Sequence, residues 1–128
     1  MARVVHFDIE ADDPDRAIAF YHDVFGWEFE KWDGPIDYWM ISTGEGDEPG
    51  IDGGLARRDG PAPGDDGASS TYTCTIGVDD IDGVLESVAE HGGRVADEAE
   101  TIPGVGRLAS CHDTEGNRFG VMESDATV

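Results

Sequence analysis

The chain has 128 residues, 38% of them hydrophobic, enough for one compact domain or two small fused modules. Its 29 acidic residues against 8 basic ones give a formal net charge of -21, spread along the whole sequence. That charge argues against nucleic acid and anionic membranes as partners, because both need a basic face, and no apolar run approaches the roughly 20 residues of a membrane helix.

The N-terminal MARVVHFD lacks the regions of a secretory signal, so a soluble, cytoplasmic protein is expected. Lys31 is the only lysine. An acidic, lysine-poor surface suits a high-salt cytoplasm, where screening tolerates the self-repulsion. A halophilic source is therefore expected.

In chain order, Val5, Phe7 and Ile9 alternate with His6, Asp8 and Glu10, the pattern of a half-buried strand. Asp12 or Asp13 then caps a helix whose first turn takes Pro14. Ala17, Phe20, Tyr21, Val24 and Phe25 form its apolar stripe, and Gly26 ends it. Strands are expected at 27–31, 38–43 and 50–57. Residues 58–70, RDGPAPGDDGASS, read as a linker.

From Thr71 a second module begins, with Tyr72, Cys74 and Ile76 on the apolar face of its first strand and Thr73 and Thr75 on the other. Asp79 or Asp80 caps a helix carrying Ile81, Val84, Leu85 and Val88 that ends at Gly92-Gly93. Strands follow at 94–97, 106–112 and 118–123, with a hairpin turn at Asp113-Thr114-Glu115-Gly116. Cys74 and Cys111 make no CxxC motif and read as two small buried thiols, a disulfide between them being left open.

The second half repeats the first at an offset of 67 residues, taking Ile9 to Ile76, Asp15 to Asp82 and Gly26 to Gly93. The expected organisation is therefore a first βαβββ module at 1–57, the linker at 58–70 and a second βαβββ module at 71–128.

This duplicated unit, with HFDIEADDPDRAIAFYHDVFGWEF, GGL at 53–55 and HDTEGNRFGVME at 112–123, resembles the vicinal oxygen chelate superfamily. That group includes glyoxalase I, extradiol dioxygenases, methylmalonyl-CoA epimerase and bleomycin-resistance proteins. The resemblance implies an α+β fold in which two tandem βαβββ modules form a curled mixed sheet around a cavity, helices outside. It also implies a homodimer.

Metal-dependent members of that family take one ligand from the first and one from the last strand of each module. Here His6 fills the first position, while Gly53 (or Gly54), Thr73 and Gly120 fill the others. One imidazole does not hold a metal with useful affinity, so no cofactor is expected. Asp8, Asp52, His112 and Glu123 are the candidates for a rearranged divalent-metal site. The simpler role of His6 is that of a polar lining residue.

No nucleophile and base pair stands out, since Ser110, Cys111 and His112 are strand neighbours pointing to alternate faces. The glycine-rich GEGDEPGIDGG lacks the lysine of a phosphate loop. His22 and His91 fall on helices. What remains is a lining for a small-molecule ligand: His6, Asp8, Trp39, Leu55, Arg57, Thr73, Thr75, His112 and Met122. Trp39 is either a stacking platform or ordinary sheet core, and Arg57 pairs with a ligand carboxylate or with local acids.

The expected function is a bleomycin-resistance-like binder of a small organic molecule, without the usual metal ligands. The alternatives are a metal-dependent lyase, isomerase or dioxygenase with rearranged ligands, and a domain kept for assembly.

Overall fold

The computed structural model describes residues 2–58 and 72–128. Most of the expected linker, together with Thr71, lies outside the described residues. The chain divides into two units, one of His6–Tyr72 and one of Thr73–Val128 joined by the residues before His6. The division therefore falls inside the first strand rather than at the chain start.

In the first unit, β1 (Arg3–Ala11) leads into α1 (Pro14–Phe25), then β2 (Glu28–Lys31), β3 (Tyr38–Ser42) and β4 (Asp52–Arg57). The Asp13 carboxylate accepts the Arg16 backbone N–H and caps α1, Pro14 fills its first turn, and Gly26 closes it at φ 77°. The sheet order is β2-β3-β4-β1. β1 and β4 run parallel, with Asp8 opposite Gly54 and Ile9 opposite Leu55. β3 is antiparallel to both β2 and β4.

Alternation along β1 sends Phe7, Ile9 and Ala11 to the helix side, where they form a core with Ile41 and Leu55. Ala17, Ile18, Tyr21 and Trp27 pack against it. The expected helix stripe is only partly buried. Phe20, Val24 and Phe25 are all more than half exposed, because α1 turns only its Ala17, Ile18 and Tyr21 edge inward. Val5, expected on the apolar face, is exposed as well.

The second unit has the same build: β5 (Thr73–Gly77), α2 (Ile81–Glu90), β6 (Arg94–Ile102), β7 (Gly106–His112) and β8 (Arg118–Ser124). Asp80 caps α2 through the Gly83 N–H. The sheet order is β5-β8-β7-β6, with β5 parallel to β8 and the rest antiparallel. Ile81, Ala109, Cys111 and Val121 make its core. At the β7–β8 turn, Asp113 accepts the backbone N–H of Glu115 and of Asn117. Those bonds, with the Asn117 side chain first among them, hold its carboxyl below the ordinary range.

The chain is thus α+β, built of two βαβββ modules in tandem. The cysteines depart from expectation. Cys111 is buried, but Cys74 is exposed, so the two are not a matched buried pair.

Candidate functional site

The face of each sheet turned away from its helix carries the polar residues of interest. In the first module His6, Asp8 and Tyr38 meet there. The Tyr38 hydroxyl donates to Asp8 Oδ1 at 2.8 Å. His6 Nε2 lies 3.2 Å from the same Asp8 oxygen and 3.1 Å from the Tyr38 oxygen. A carboxylate only accepts, and the Tyr38 proton is already given to Asp8. Nε2 must therefore donate, which places the proton of neutral His6 on Nε2 and leaves Nδ1 as the basic nitrogen.

Burial, reinforced by the negative charge of Asp8 and the hydrogen bond to it, pushes the Tyr38 phenol far above its ordinary value. A raised phenol pKa favours the folded state below the unfolded value of about 10. That contribution is lost as pH rises toward the folded value, because the unfolded chain ionises first. Alkaline unfolding is therefore expected to release Tyr38 as tyrosinate only with loss of structure. Absorbance of tyrosinate and circular dichroism should move together above about pH 10, and Tyr38→Phe should weaken the coupling.

The strand geometry decides between the two glycines. A Cβ on Gly53 would lie 2.5 Å from the Phe7 carbonyl oxygen and 2.7 Å from its ring, so Gly53 faces the helix side. A Cβ on Gly54 would overlap the Tyr38 hydroxyl and come within 2.8 Å of Asp8 Oδ1. Gly54, not Gly53, thus shares the face of His6. In the second module Gly120 pairs with Thr75, and a Cβ there would sit 2.9 Å from Thr75 Oγ1. Thr75 is buried, with Thr73 and Met122 half-buried on the same face by alternation.

Three expected lining residues lie elsewhere. Leu55 is fully buried in the helix-side core. Trp39 shares the face of Ile41, packs on that core, and carries Lys31 Nζ 5.4 Å above its ring. Arg57 follows the same alternation and pairs with Asp37 at 3.1 Å, so local acids claim it. The aromatic residue beside His6 is Tyr38, which the sequence reading passed over; Trp32 meets its ring edge-on at 6.1 Å. His112 ends β7 on the Thr75 and Gly120 face, opposite Arg118.

These residues do not fit a metal held in the family manner. His6 Nε2 is taken up by Asp8 and Tyr38, which leaves Nδ1 as its one nitrogen with a lone pair, and one imidazole alone is a weak metal site. The Tyr38 hydroxyl occupies the space above Gly54, and Thr75 crowds that above Gly120, so neither position has room for a carboxylate as it stands. Among the described residues, no three His, Cys, Asp or Glu side chains converge as ligands.

A depression of about 530 Å³ lies on the helix side of the first module beside Ile9, Phe20, Tyr21, Leu55 and Arg58. It does not reach His6, Asp8 or Tyr38. Its walls mix core side chains with the exposed Phe20 and Tyr72, the charged Glu10, Asp13 and Arg16, and the Arg58–Asp12 ion pair at 3.0 Å, apart from the His6, Asp8 and Tyr38 cluster.

The tandem modules and the His6 face define a class of protein, and comparison agrees. Residues 3–121 match the Glyoxalase/Bleomycin resistance protein/Dioxygenase superfamily, and the chain belongs to it. Among relatives, a glyoxylase-like domain-containing protein of Didymella fabae is 31% identical over 119 residues, covering 89% of this chain and 88% of that one. CFP32 of Mycobacterium bovis is 30% identical over 118 residues, covering 91% of this chain, which spans only 42% of that relative's length.

Solved structures share the fold. The hypothetical protein BH1468 from Bacillus halodurans superposes with a TM-score of 0.74 at 16% identity, covering 99% of this chain and 97% of that one. A methylmalonyl-CoA epimerase in complex with methylmalonyl-CoA and NH4+ gives 0.71 at 21% identity, with 99% and 97% covered. Among the described residues, no helix is long and apolar enough to cross a membrane.

Proposed function

We propose that this chain binds a small organic molecule without a resident metal, using the His6, Asp8 and Tyr38 face as the polar anchor. The observation that carries this reading is the Tyr38 hydroxyl seated above Gly54, where it bonds Asp8 and claims His6 Nε2. A side chain of this chain thus completes the polar contacts that a metal ion would otherwise take. Met40, half exposed opposite Gly54, offers an adaptable apolar neighbour for the ligand.

The protein works as a cytoplasmic homodimer in a high-salt cell. The charge of -21 supports the salt requirement, and the pairing rests on the resemblance alone. Sedimentation across a salt series tests both.

The test of the main reading is elemental analysis of protein purified in high salt without chelator or affinity tag. A second aliquot is incubated with zinc, nickel, manganese and ferrous ions and desalted. No retained metal is expected. About one ion per chain that His6→Ala removes would sink the reading and favour a metal-dependent lyase, isomerase or dioxygenase. A thermal-shift screen of aromatic and glycopeptide compounds, bleomycin among them, then compares the native chain with Tyr38→Phe. Compounds that raise Tm only with Tyr38 intact would mark the anchor.

A further inference from the structure

The second module holds an arrangement that ligand binding at His6 does not use. Arg94, His112 and Arg118 stand side by side on three adjacent strands, Arg94 opposite His112 on β6 and β7, and His112 opposite Arg118 on β7 and β8. Directly opposed residues point to the same face. The side chains confirm it: Arg94 Nη2 donates to His112 Nδ1 at 3.1 Å, and Arg118 Nε donates to Ser110 Oγ at 2.8 Å.

In a chain with 29 acids and 8 bases, this row runs against composition. Arg107 is bound by both oxygens of Asp82, Arg58 by Asp12, and Lys31 and Arg57 share Asp37. Arg94 instead spends a donor on an imidazole, with no carboxylate within 4.0 Å among the described residues. Arg118 lies 3.7 Å from Asp97, itself 72% exposed. Asp113, next to His112, has its oxygens taken by the turn.

The hydrogen bond also fixes a tautomer. A guanidinium only donates, so His112 accepts at Nδ1 and carries its proton on Nε2. The row therefore offers donors of three kinds: spare guanidinium N–H groups of Arg94, the Nε2–H of His112, and the Nη groups of Arg118. A planar carboxylate is satisfied by one bidentate arginine, whereas donors from three strands suit the several oxygens of a phosphate.

We propose that Arg94, His112 and Arg118 form a binding site for the phosphate group of a phosphorylated small molecule. This proposal is independent of the reading of His6.

The test is a titration of the isotope-labelled full chain with inorganic phosphate at constant ionic strength and near-neutral pH. Arginine Nε and histidine ring signals are followed by NMR. Saturable shifts confined to Arg94, His112 and Arg118 are expected. Arg94→Gln and Arg118→Gln should each weaken binding on the order of tenfold. Arg107→Gln, which removes a guanidinium already held by Asp82, should leave it unchanged. Shifts that grow linearly without saturating, or that Arg94→Gln and Arg118→Gln leave unaltered, would overturn the proposal. Succinate saturating the same signals at lower concentration than phosphate would overturn the choice of phosphate.

Discussion

Replacing Gly54 by alanine is expected to destabilise the chain on the order of 3 kcal/mol, the sum of an overpacked methyl and a displaced hydrogen-bonded group. The new Cβ would overlap the Tyr38 hydroxyl and press on Asp8 Oδ1 at 2.8 Å. Neither can retreat without cost. Tyr38 would lose its bond to Asp8, and Asp8 would lose one of two partners. Urea unfolding measures the change. Tyr38→Ala removes the obstruction, so the double variant should be less destabilised than the sum of the two single ones. A Gly54→Ala variant as stable as the native chain would mean that the hydroxyl does not sit above Gly54, and the metal-free reading would lose its main support.

Leu55→Ala is expected to cost about 2–5 kcal/mol, the range for emptying a well-packed core position. Leu55 has no exposed surface and touches the Phe7, Ile9 and Ile41 cluster. The same substitution in the wall of a ligand site would barely change stability and would alter ligand affinity instead. Thermal and urea unfolding beside the ligand screen separate the two outcomes. A near-neutral Leu55→Ala would return this residue to the lining where the sequence pattern had placed it.

The elements were legible because local chemistry specifies them. Asp13, Pro14 and Gly26 bracket α1, Asp80 caps α2, and Asp113 with Gly116 closes the last hairpin, each through a side chain or a positive φ that no neighbour supplies. The faces of β3 and β4 were not legible. In Tyr38-Trp39-Met40-Ile41 every position is apolar or aromatic, so alternation carries no contrast, and Leu55 stands between Gly53-Gly54 and Ala56, which give none either. The available signal was register. With Met40 opposite Gly54, Tyr38 falls on the same face and Trp39 on the other.

The repeat itself misleads by one residue. The offset of 67 sends Gly53 to Gly120, yet Asp8 pairs with Gly54 while its counterpart Thr75 pairs with Gly120. On a strand, a slip of one residue exchanges the two faces.

The three tryptophans give the molecule a built-in optical code. Trp27 lies parallel to Tyr21 at 5.0 Å, and Trp39 sits under Lys31, both on the helix side of the first module. Trp32 instead abuts the Tyr38 ring. A molecule settling against His6 and Tyr38 would change the emission of Trp32 and spare the other two. Fluorescence of the native chain then carries its own reference signal, and a Trp32→Phe chain would be blind to occupancy while still reporting unfolding.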